Sequence, residues 1–165
     1  MAEKYTVKLS LLLESVEYCS DVESEGYYLV KDTNQIIPYG EDLSEFRNDE
    51  KELTFLTSNK CLQLPTNHDL ERFAPDWSKD ITLKYIDVMI SDEKQKKMLT
   101  KAYNSLFNNR ILPAIPGSSK FCKELGKLGR MEEWDHFIIE MYEKLQMEFI
   151  NKWCQEHNIG IEYDI

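Results

Sequence analysis

The sequence predicts an α+β fold: a small N-terminal antiparallel sheet with a helix, followed by a predominantly helical C-terminal half. Three stretches carry that reading. "GYYLVKDTNQIIPYG" holds two short β-rich runs, at 27–31 and 35–39, separated by the turn residues Asp32, Thr33 and Asn34. "EKQKKMLTKAYNSLFNN" places Met98, Leu99, Ala102, Tyr103, Leu106 and Phe107 on one helical face. "MEEWDHFIIEMYEKLQMEFINKWCQEH" gathers Trp134, Phe137, Ile138, Met141, Tyr142, Leu145, Phe149 and Trp153 on one broad face at about 100° per residue.

Taken in order, "YTVKLSLLLESVEYC" begins extended and turns helical, with Ser10 as the expected N-cap and Leu12, Leu13 and Val16 sharing a face. After the first hairpin strand, Pro38 marks the second as an edge or a strand end. "EDLSEFRNDEKE" reads as a short acidic helix and linker, and a third strand is expected at 54–57 or 61–64. Thr66 or Asn67 can cap "HDLERFAPDW", and Asp80 can cap "ITLKYIDVMI". "RILPAIPGSS" is loop because Pro113, Pro116 and Gly117 cannot sustain a helix, after which Ser118 or Ser119 starts "KFCKELGKLG". The final "GIEYDI" is expected as a last strand.

With 165 residues, 42% of them apolar, the chain can bury a core of its own, and we expect one domain over 1–165 with a sub-division into 1–60 and 61–165. "LSLLL" is far too short to span a bilayer and no charged start leads into an apolar run, so a cytoplasmic protein without a membrane partner is expected. Cys19, Cys61, Cys122 and Cys154 form no close pair, which favours reduced thiols.

The net charge of −10 argues against general binding to a nucleic-acid backbone. The charge is uneven, however. Residues 94–130 hold nine Lys and Arg against the single acid Glu124, while every other part of the chain is acidic. Either this block pairs with acidic segments or stands in solvent, or it forms an anion-binding surface on an acidic protein.

Motifs for chemistry are sparse. Glu133 and His136 have the Glu-x-x-His spacing of di-iron bundles, but the chain has no second such pair, and helical geometry turns His136 away from the aromatic face. Cys154 and His157 form a Cys-x-x-His pair whose other half would have to come from Cys61 and His68 or from Cys122. No nucleophile elbow, phosphate loop, dinucleotide fingerprint or zinc-protease motif occurs, so no catalytic residue, metal or cofactor is assigned. Pro75-Asp76 with Asp92-Glu93-Lys94 spells a nuclease-like pattern, yet Asp92 sits where a helix should begin rather than at a strand end.

Together "YYLVKDTNQII", "LQLPTNHDLERF", "FCKELGKLGRMEEWDHF" and "EFINKWCQEHNIGIEY" resemble the bacterial proteins of uncharacterised protein family number 0158 over nearly the whole chain. The most specific part is the spacing of Phe121, Lys123, Trp134, Phe137 and Trp153. That family has a Gly- and Arg-rich run before the lysine, where this chain has "RILPAIPGSSKFCK". The resemblance implies no activity, because the family's function is unassigned.

The leading expectation is therefore a non-enzymatic acidic protein, rich in exposed aromatics and carboxylates, that binds a partner protein with a basic surface in a regulator, inhibitor or immunity-like role. The alternative is binding of an anion, nucleotide or RNA by the 94–130 block through Arg110, Lys120, Phe121, Lys123, Lys127 and Arg130, with Tyr103, Phe107 and Trp134 available for stacking. A metal-dependent hydrolase or nuclease ranks third.

Overall fold

In a computed structural model, residues 5–20, 22–40, 50–105 and 119–165 are described. The fold is α+β, with a small antiparallel sheet and a helical C-terminal half. Its contacts group into two units, one of Met1–Phe73 with Gln146–Ile165 and the other of Ala74–Leu145. No described helix is long and apolar enough to cross a membrane.

The first unit opens with β1 (Tyr5–Lys8), which runs directly into α1 (Leu9–Glu17). Because α1 starts at Leu9, Ser10 is not the cap expected from the sequence. Its backbone N–H and hydroxyl instead donate to Asp164 at 3.0 and 2.7 Å. That tie extends a pairing between distant parts of the chain, since β1 lies parallel to β5 (Ile159–Glu162) in register Tyr5 to Ile159. Leu12 and Val16 carry the apolar side of α1 and are fully buried, while Ser15 on the same side donates to the Pro65 carbonyl at 2.8 Å.

The second sheet has the order β3-β2-β4, all antiparallel, with β2 (Gly26–Val30), β3 (Gln35–Tyr39) and β4 (Cys61–Gln63). The hairpin turn closes with Asn34 in the left-handed region at φ 54°, a conformation Asn tolerates better than most residues. Pro38 falls on β3, an edge strand, where its missing N–H removes no ladder bond to a further strand. The third strand is the 61–64 alternative. Residues 54–57 do not form a strand, because α2 (Glu50–Leu56) covers most of them and plants Leu56 against Tyr28, Val30, Tyr39 and Cys61. Thr66 and Asp69 form a reciprocal cap at the start of α3 (Asn67–Phe73), the Asp69 carboxylate accepting from the Thr66 N–H and hydroxyl at 2.9 Å each.

The second unit is helical. Its α4 (Trp77–Met89) starts a turn earlier than expected, so Asp80 lies inside the first turn rather than at the cap, where it complements the helix dipole. The start of α5 (Glu93–Asn104) is as expected, with the Asp92 side chain accepting from the Gln95 N–H at 2.8 Å. α6 (Ser119–Lys127) ends in a Schellman turn. Gly129 adopts φ 68°, Arg130 N–H reaches the Leu125 carbonyl, and Gly129 N–H reaches that of Gly126, both at 3.1 Å. The long α7 (Met131–His157) then begins, contributing residues 131–145 to this unit and 146–157 to the first.

Aromatic side chains fill the core of the second unit. Tyr85, Phe121 and Trp134 are essentially inaccessible and meet edge to face, with ring centroids 4.9 Å apart for Tyr85–Trp134 and 5.1 Å for Phe121–Trp134. Ile81, Ile86, Ile90, Leu99, Tyr103, Leu125 and Phe137 complete the cluster.

Candidate functional site

The residues that the sequence nominates for ligand binding separate into three groups. Phe121 is buried in the core against Tyr103 and Trp134, so none of these three rings is available to stack on a base. Lys127 and Arg130 are held in local ion pairs, to Glu124 at 2.8 Å and Glu133 at 2.7 Å. Lys120 and Lys123 are exposed on α6 and have no ion pair among the described residues. Arg110 and Phe107 lie outside the described residues, as do Leu106, Pro113, Pro116, Gly117 and Ser118.

Arg130 is a structural residue. It follows the left-handed Gly129, and its guanidinium donates both to the Met89 carbonyl at 3.2 Å and to the Glu133 carboxylate. The Tyr85 hydroxyl donates to the same Glu133 oxygen at 2.7 Å. Glu133 thereby collects a phenol from α4 and the guanidinium that also binds the last carbonyl of α4. Burial, and then the carboxylate it faces, push the Tyr85 hydroxyl well above its ordinary value. The carboxyl of Glu133 is held below the usual carboxylate range, first by the Tyr85 hydroxyl and then by Arg130, against the opposing effect of burial.

Because the folded chain binds this proton less tightly than the unfolded one, the network stabilises the fold above the carboxylate range and loses that contribution as pH drops below about 4.5. The melting temperature of Glu133→Gln should accordingly depend less on pH between about pH 5 and pH 2 than that of the wild type. Parallel curves for the two proteins over that range would remove Glu133 from the acid response.

In the first unit a polar cleft of about 150 Å³ is lined by Tyr18, Ser20, Glu25, His68, Asp69 and Arg72 among others. The sequence does not reveal it, because its walls come from two segments, 18–25 and 63–72, that are distant in the chain. The Ser20 hydroxyl donates to Glu25 at 2.5 Å, and the Tyr18 hydroxyl donates to the same oxygen at 3.3 Å. His68 Nε2–H donates to the Ser20 carbonyl at 2.9 Å, not to its hydroxyl. Arg72 bridges Asp69 and Glu23 at 3.4 Å each. A serine whose hydroxyl faces a carboxylate, with the imidazole turned to the backbone, is not the relay that nucleophilic catalysis needs.

Among the described residues neither metal motif assembles. His136 is exposed and its Nδ1 lies 2.8 Å from the Glu132 carbonyl, in line with the helical geometry read from the sequence. Cys154 is buried, whereas His157 stacks on Trp153 with centroids 4.2 Å apart and places Nδ1 on the Trp153 carbonyl. Among the described residues no three His, Cys, Asp or Glu side chains come together as a metal site.

The outward sides of α4 and α7 have a different character. Ile139 is 57% exposed, and the exposed Glu132, Asp135, His136 and Glu143 lie within about 60° of it around the helix. On α4 the exposed Leu83 has Asp80 and Asp87 beside it but also Lys79, and Asp87 is paired with Lys96. The sequence also suggests a second apolar stripe on α7, formed by Ile139, Met147 and Ile150. Ile150 is fully buried and Met147 partly so, which leaves Ile139 as its exposed member. Exposed aromatics do not contribute as expected: among the described residues, Phe55 and Tyr163 are the exposed rings.

No family model matches the chain, and no curated protein or solved structure matches it either.

Proposed function

We propose that the protein acts by binding a partner protein with a basic surface, as a regulator or inhibitor does, through the outward side of α7 in its second unit. The observation that carries this reading is Ile139, an apolar side chain in solvent flanked by the carboxylates Glu132, Asp135 and Glu143 and by His136. Protein interfaces are built as an apolar centre with a polar rim, and this arrangement supplies both on one rigid helix. Glu132, Asp135 and Glu143 have no ion pair among the described residues, so their charge is free to attract a cationic partner. The overall charge of −10 adds long-range steering, which speeds encounter and is screened by salt.

Immobilised wild-type protein should retain a partner from lysate at low ionic strength and release it as salt rises. A variant carrying Asp135→Lys and Glu143→Lys should retain much less of that partner while melting at the wild-type temperature. Equal retention by the two proteins, or retention that does not respond to salt, would contradict the proposal.

A further inference from the structure

We propose that the groove along α5 in the second unit binds a small anion bearing two or more phosphoryl groups. The groove is open, has a volume of about 490 Å³, and is lined by Lys96, Lys97, Thr100, Lys101, Asn104 and Ser105. Lys97, Thr100, Lys101 and Asn104 share one side of the helix, opposite the buried Leu99, Ala102 and Tyr103. Lys97 and Lys101 lie one turn apart, about 6 Å along the axis, so their ammonium groups can engage neighbouring phosphoryl groups of one ligand. The Thr100 hydroxyl and Asn104 amide, also one turn apart, add neutral donors alongside them.

The ion pairs of this unit direct the charge to that side. Lys96 is engaged by Asp87, through its carbonyl at 3.0 Å and its carboxylate at 3.4 Å. Lys97 and Lys101 are exposed and have no carboxylate within ion-pair distance among the described residues. α6 packs beside α5 and carries Lys120 and Lys123, which lie outside the groove lining and likewise have no ion pair among the described residues. On a chain of net charge −10, these four ammonium groups are a local reversal of sign.

A single-stranded nucleic acid is a poorer fit, because its bases need exposed rings and Tyr103 and Phe121 are core residues. The inference stands on α5 and α6, so it does not depend on the partner surface of α7. It also moves the centre of any anion site away from Arg130 and Phe121, which are occupied structurally.

Calorimetric titration of the full chain with inorganic triphosphate at low ionic strength should show saturable binding, stronger than that of inorganic phosphate. Lys97→Ala with Lys101→Ala should weaken it by about tenfold or more, and Lys120→Ala with Lys123→Ala by less. Alanine is the best helix former, so circular dichroism should find these helices intact. Lys79→Ala with Lys84→Ala, which removes two lysines from α4, should leave the affinity unchanged. Absence of saturable triphosphate binding, equal affinity after loss of Lys97 and Lys101, or an equal loss in the α4 control would overturn the proposal. Retention of a single-stranded RNA oligonucleotide or an acidic peptide without triphosphate binding would overturn it as well.

Discussion

Trp134→Ala should destabilise the protein by about 3–5 kcal/mol, as expected for truncating a large aromatic in a close-packed core. Trp134 is 1% exposed and touches Tyr85 and Phe121 edge to face, so the indole leaves a cavity that at least three elements would have to collapse to fill. Alanine is well tolerated in a helix, which means that the loss reports packing rather than helix propensity. Urea unfolding followed by circular dichroism gives the number directly. A change below about 1 kcal/mol would place Trp134 on a surface and would contradict the core described for the second unit.

Phe121→Ala should cost a similar amount, about 3–5 kcal/mol, and this prediction separates the structure from the expectation raised by the sequence. Read as a stacking residue, Phe121 would be replaceable with little effect on folding. Its 0% exposure and its contacts with Tyr103 and Trp134 make it a core anchor instead. The two truncations share one contact, so the double variant should lose less than the sum of the single losses. Exact additivity would mean that the two rings do not pack on each other.

Much of the fold was legible because its signals are local. The β2–β3 hairpin, the Asp92 cap of α5 and the aromatic side of α7 follow from residues within a few turns of each other. The pairing of Tyr5 with Ile159 was not legible, because parallel partners separated by almost the whole chain leave no pattern in either segment. The cap at Asp80 failed for a related reason. Trp77 packs on Tyr142 with ring centroids 5.5 Å apart, so tertiary contact accompanies the extra turn at the start of α4.

The basic block could have been read more finely. Glu124–Lys127 and Arg130–Glu133 are both spaced i, i+3, the separation at which helical side chains meet, so two of its cations were recognisable as locally paired. Phe121 and Leu125 are spaced i, i+4, and both are buried, a spacing that marks an inward face. The engagement of Lys96 by Asp87 was hidden, since it joins the last turn of α4 to the first turn of α5 across an intervening bend. The first unit's cleft was hidden too, because His68 meets the Ser20 carbonyl only once the chain has folded.

In the second unit α7 faces two ways: Trp134 and Phe137 are turned to the core, and Ile139 is turned outward, where we propose that a partner docks. The most direct measurement compares Ile139→Lys with the wild type for melting temperature and for retention of the captured partner. We predict an unchanged melting temperature together with loss of retention. A melting temperature lowered as far as that of Trp134→Ala, or retention equal to that of the wild type, would contradict the assignment of Ile139 to a docking surface.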